Sequence, residues 1–180
     1  MRKTKKITLS ALMIAMGVLF MTLGYFVEAL DLTVAALLSC VVVLVVIEIG
    51  SPYTFMVWLG TSLLGALFFT GSFVWLTYLL IFGIYPILKN YIERLPRAFW
   101  YPVKLIFFNA ALIALIFLGE LIVGVPFFAV GENMAEYEQI IKAALYIGFN
   151  VAFVLYDIFL NLMIRAYFIR LRSKFSRFLR

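Results

Sequence analysis

Residues 49–88 read IGSPYTFMVWLGTSLLGALFFTGSFVWLTYLLIFGIYPIL, forty residues without one charged side chain. A helix rises about 1.5 Å per residue and the hydrocarbon core of a bilayer is about 30 Å thick. One spanning helix therefore takes about 20 such residues, and this run is too long for one. Thr70-Gly71-Ser72 supplies turn chemistry in its middle and divides it into spans at 53–69 and 73–90.

The rest of the chain repeats the pattern on both sides. Residues 7–27 and 32–49 give two spans before this run, and 103–123 and 140–169 give two after it. Of the 180 residues 66% are hydrophobic and only 13% charged, about half the charged share of an ordinary soluble domain. The apolar excess has to face lipid. Val41 to Ile47 is rich in β-branched residues, yet the alternating pattern of a transmembrane barrel is absent, and in lipid the backbone must satisfy its own hydrogen bonds. The expected fold is all-α: a six-helix transmembrane bundle forming one domain over 1–180, with a basic tail at 170–180.

Charge sets the expected orientation. Arg2, Lys3, Lys5 and Lys6 precede the first span, and Lys89, Arg94, Arg97 and Lys104 flank the connection of the fourth to the fifth. Arg165, Arg170, Arg172, Lys174, Arg177 and Arg180 close the last. Six spans put all of these on one side and leave only Lys142 on the other, so the positive-inside rule predicts both termini in the cytoplasm of a bacterial plasma membrane protein. Val27-Glu28-Ala29 loosely resembles a signal-cleavage site. The uncharged run before it exceeds the 7–15 residues of a signal core, so the first span is expected to stay.

The same composition removes much chemistry. With no His in the chain, a His-ligated metal site and a Ser–His catalytic pair are excluded. Cys40 is the only cysteine, so no internal disulfide forms. No G-x-x-x-x-G-K-[ST] phosphate loop occurs, and Asp157 has no second carboxylate at its depth to form an aspartyl dyad. The basic residues cluster beside apolar runs, which argues against nucleic-acid binding. No enzyme activity, metal or cofactor is expected.

The polar residues that remain within spans are the candidate functional ones. Ionisable groups at membrane depth are costly and face the bundle interior or a pathway. Asn150, Asp157 and Asn161 recur at i, i+7 and i+11 with Tyr146 one turn earlier, along one helical stripe. Asp157 is either a ligand contact or an interhelical clamp, for instance to Asn109 or Arg165. Tyr146 and Asn150 lie nearer the outer half. Trp75 and Tyr78 can stack on a flat ring, or serve as aromatic-belt anchors. The outward connections add Glu28, Asp31, Glu120, Glu132, Asn133, Glu136 and Glu138, and Gly124 to Gly131 is an apolar segment bounded by Gly and Pro that can fold as a lid or remain a plain loop. The tail from Tyr167 interleaves Phe168, Leu171, Phe175 and Phe178 with basic residues, as a segment does that lies on an anionic leaflet or meets a cytoplasmic partner.

Ala11 and Ala15, with Ser10 and Gly17 nearby, form a small-xxx-small pair that lets a second helix approach closely, inside the bundle or from outside it. The basic start followed by Lys5-Lys6-Ile7-Thr8-Leu9-Ser10-Ala11-Leu12-Met13-Ile14-Ala15 resembles the opening of substrate-binding S components of energy-coupling-factor (ECF) transporters. Leu30-Asp31-Leu32-Thr33-Val34-Ala35-Ala36 agrees at the second span. The resemblance implies a subunit that captures a vitamin or related small-molecule ligand on its outer side. It also implies a transmembrane coupling subunit docked on Ala11 and Ala15, and two ATPase subunits that supply energy. Trp75, Tyr78, Asn109, Tyr146, Asn150 and Asp157 are the candidate ligand residues. The rival expectation is a small polytopic scaffold of envelope assembly with no transported ligand. A secondary transporter working alone is a third, but the internal repeat with broken helices that it calls for is not visible in the sequence.

Overall fold

The computed structural model describes residues 3–27, 31–124 and 137–171, and among these there is no strand. The helices are α1 (Lys3–Phe26), α2 (Asp31–Glu48), α3 (Tyr53–Phe68), α4 (Phe73–Thr77), α5 (Tyr85–Ile92), α6 (Trp100–Ile122) and α7 (Glu138–Ala166). A π-helical turn at Tyr78–Phe82 joins α4 towards α5, a 3-10 turn at Arg97–Phe99 precedes α6, and a second π-helical turn at Tyr167–Leu171 follows α7. Five stretches are long and apolar enough to cross a membrane: Lys3–Phe26, Asp31–Glu48, Phe73–Ile92, Arg97–Ile122 and Glu138–Arg170. This is compatible with a multi-pass membrane protein. The remaining apolar helix, α3, has 16 residues and rises about 24 Å, short of a hydrocarbon core of about 30 Å.

The chain forms two compact units, residues 2–127 and 128–180. In the first, α2 lies at the centre, packed against α1, α3, α4 and α5. Its sequence dictates this. Val41, Val42 and Val43 are buried in succession, which a helix achieves only when neighbours cover several of its faces. Met13 of α1, Val41 and Val45 of α2, Ile49 just after it and Val57 of α3 share one core cluster. Gly50 closes α2 with φ 74°, a left-handed conformation that glycine adopts without Cβ strain, and its N–H donates to Val45 O at 3.0 Å.

α1 packs through small residues. Ser10, Met13, Gly17, Met21 and Gly24 are buried at spacings of three and four, the seam of a helix packed along its length. A Cβ at Gly17 would lie 2.7 Å from Thr61 Cγ2, and one at Gly24 2.8 Å from Val74 Cγ2. Both glycines hold the axes of α1, α3 and α4 close together.

The stretch Phe73–Ile92, which covers the span expected at 73–90, is interrupted. Gly83 N donates to Tyr78 O at 2.7 Å, a five-residue step, and Pro86 lies in the first turn of α5. Proline lacks an N–H and crowds the carbonyl four residues before it, so the regular ladder is lost here. The indole of Trp58 donates from Nε1 to Leu79 O at 3.2 Å and satisfies a carbonyl of the irregular turn. A Cβ at Gly83 would meet Tyr78 O at 2.7 Å, so glycine is required for this close approach. In α7, described by itself, Phe153, Asp157 and Leu160 are the buried residues, four and three apart on one face.

Candidate functional site

The helix directions bring two chemically opposite ends into being. Within residues 2–127, the described cations Lys3, Lys5, Lys6, Lys89, Arg94, Arg97 and Lys104 belong to the start of α1, the end of α5 and the connection into α6. Contacts tie these segments together. Lys6 Nζ donates to Ile49 O at 3.3 Å and lies 5.6 Å from the Tyr53 ring centroid. Glu93 Oε1 is held by Lys89 at 2.7 Å and by Lys104 at 2.9 Å. Lys104 also faces the rings of Trp100 and Tyr101 at 5.8 and 5.9 Å. Both lysines are buried, at 2% and 3% exposure, a cost that ion pairing and ring contact offset.

The other end, where α1 and α6 finish and α2 and α4 begin, holds a cavity of about 560 Å³, within the size range of small-molecule sites. It is lined by Tyr25, Phe26, Asp31, Gly71, Ser72, Phe73 and Val123. Each lining group has a local reason for its place. Tyr25 stands on the last turn of α1, its ring 5.8 Å from Phe26 and 5.4 Å from Phe69. Asp31 is in the first turn of α2, where the helix dipole favours a carboxylate. The turn before α4 is closed by Ser72, whose N–H donates to Phe69 O at 3.0 Å and whose hydroxyl donates to the same oxygen at 3.2 Å. The ring of Phe73 lies directly over α6, because a Cβ at Gly119 would fall 2.7 Å from Phe73 Cε1. Among the described lining residues Asp31 is the only charged one, and three of the seven are aromatic.

The residues singled out from sequence are placed elsewhere. Trp75 and Tyr78 are buried, at 6% and 1% exposure, in and just after α4. They are therefore not aromatic-belt anchors, which must reach the membrane surface, and they do not line the cavity. Asn109 is half-buried in α6, and its amide donates to Leu105 O at 2.8 Å. Tyr146 and Asn150 are half-buried on α7, where the Asn150 amide donates to Tyr146 O at 3.0 Å. Asp157 is buried on the same helix at 2% exposure. Ala11 and Ala15 are exposed on α1. Of the outer connection, Asp31 reaches the cavity, whereas Glu28, Glu132, Asn133 and Glu136 lie outside the described residues, as does the expected lid beyond Gly124. The tail from Arg172 onward also lies outside them.

Sequence reasoning missed Tyr25, Phe26, Ser72 and Phe73 as lining groups. The available signal was a pair of aromatics and an acid bracketing the first outward connection, opposite the Thr70-Gly71-Ser72 turn. Among the described residues, no group of three acidic or cysteine side chains is placed to hold a metal ion. Compared with protein-family models, with curated proteins and with solved structures, the chain matches none.

Proposed function

We propose that this chain is a membrane-embedded capture subunit that binds a small molecule in the cavity lined by Tyr25, Asp31 and Phe73 and hands it to a separate energised partner. It spans the bilayer six times with both termini in the cytoplasm, α3 crossing as a short helix sheltered by α1 and α2. That orientation puts the basic end inside and the cavity outside, where a scarce nutrient is met. The cavity is the observation that carries the reading, since a scaffold needs no such space. The likeness of its first helix to ECF S components and the exposure of Ala11 and Ala15 support a transmembrane coupling subunit as the docking partner, with two ATPases behind it.

Native mass spectrometry of the protein extracted from its host in mild detergent tests this. A bound small molecule with co-purifying ATPase and coupling subunits is the expected result. A ligand-free chain held by envelope-assembly proteins would favour the scaffold instead. Docking is tested by replacing Ala11 and Ala15 with Trp. Both positions are exposed, so the fold is expected to survive and complex assembly to be lost. Intact assembly would refute the docking face.

A further inference from the structure

We infer that the ligand of this cavity is a flat organic cation, an inference that rests on the capture function proposed above. The charges decide it first. Asp31 is the only charged side chain among the described lining residues, and every described Lys and Arg of residues 2–127 belongs to the opposite end. A ligand carboxylate or phosphate would find no basic partner among the described lining residues and would face a carboxylate of like sign. The first turn of α2 offers about half a positive charge, less than the full charge a carboxylate carries, so this end of the unit favours a cation over an anion.

Shape and surface decide the rest. Tyr25, Phe26 and Phe73 line the same cavity as the carboxylate, and aromatic ring faces, whose quadrupoles are negative, attract a cation within about 6 Å of the centroid. A metal ion does not fit this surface. Hard cations take six or more oxygen ligands, whereas the described side chains lining the cavity offer one carboxylate and two hydroxyls, those of Tyr25 and Ser72. At about 560 Å³ there is room for a fused-ring organic ion, which fills the space with ring stacking and places its charge near Asp31. Ser72, on the rim turn, gives a polar edge for one heteroatom.

The test uses the full chain in lipid nanodiscs, with protein-free nanodiscs as the blank. Three ring compounds of matched shape are titrated: N-methylquinolinium, neutral 4-methylquinoline and quinoline-4-carboxylate. The cation is expected to bind about tenfold more tightly than its neutral counterpart, the scale of a desolvated cation–aromatic contact. Asp31→Asn is expected to remove that preference, bringing the affinity of the cation down to that of the neutral compound. Phe26→Leu provides a second readout, because Phe26 is 77% exposed and its loss leaves the fold intact; cation affinity should fall severalfold with Asp31 still present. Equal binding of cation and neutral compound, preferred binding of the carboxylate, or no binding of any of the three would overturn the inference. The native mass spectrum separates this failure from failure of capture: a co-purified neutral or anionic molecule removes the cation assignment and leaves the capture subunit standing.

Discussion

Replacing Glu93 with Gln tests the account of the basic end. Glu93 Oε1 contacts the ammonium groups of both Lys89 and Lys104, at 2.7 and 2.9 Å, so the two nitrogens lie within about 6 Å of each other. With the carboxylate gone they repel by about 3 kcal/mol at an effective dielectric of about 20. Breaking a buried ion pair costs about 3–5 kcal/mol. The lysine side chains are 3% and 4% exposed but that of Glu93 is 29% exposed, and water screening brings the expected loss down to about 2–3 kcal/mol. The other contacts of the lysines persist in the variant, so the single substitution alone does not isolate the clamp. A double-mutant cycle does. Glu93→Gln, Lys104→Met and the double variant are unfolded reversibly by SDS titration in mixed micelles. Methionine matches the lysine stem without its charge, so the double variant should recover about 1–2 kcal/mol relative to additivity. A Glu93→Gln protein within about 0.5 kcal/mol of the parent, or strict additivity in the cycle, would refute the clamp.

Gly17→Ala should destabilise the bundle by about 1–3 kcal/mol, since its methyl would meet Thr61 Cγ2 at 2.7 Å; Thr61→Ala should restore most of this loss in the same SDS titration. Trp58→Phe removes the donor to Leu79 O and should cost about 1–2 kcal/mol, with faster amide exchange confined to residues 78–84 by mass spectrometry. In a Cys40→Ala background, Gly71→Cys should react with a membrane-impermeant maleimide on intact cells, and Ala98→Cys only after permeabilisation; the reverse pattern would overturn the orientation.

Helix positions were legible because burial in lipid needs only long uncharged runs, and residues 49–88 leave no alternative. Their ends moved by a few residues where polar groups continue a helix, as Lys3 to Lys6 do in α1 and Trp100 to Pro102 in α6. The break in the fourth span was not legible from hydropathy, which is blind to the backbone. Gly83 and Pro86 were its signal, and they matter because one supplies no Cβ and the other no N–H. The cavity was less legible still. Its groups come from four separate helix ends, and only the packing of Phe73 on Gly119 and of Gly24 on Val34 and Val74 brings those ends together. Trp75 and Tyr78, which look like ring-stacking candidates in a linear reading, are drawn into the core because α4 is enclosed by α1, α2, α3 and α6.

The small residues of α1 fall into two sets with different physical duties. Ser10, Gly17 and Gly24 are buried on the seam, where the glycines give close approach to Thr61, Val34 and Val74. Ala11 and Ala15 lie off that seam and are exposed, beside Ile7, Leu12, Leu19 and Leu23, which are 57–66% exposed. A face that meets only lipid gains nothing from small side chains, because acyl chains pack as well against leucine. Two alanines one turn apart between larger apolar residues instead leave a shallow groove, and in a membrane a groove of that kind gains van der Waals contact chiefly when another helix enters it. The glycines already provide close packing on the seam, which leaves the exposed alanines open to the docking proposed above. This is why bulky replacement at 11 and 15 should spare the fold while bulky replacement at 17 should not.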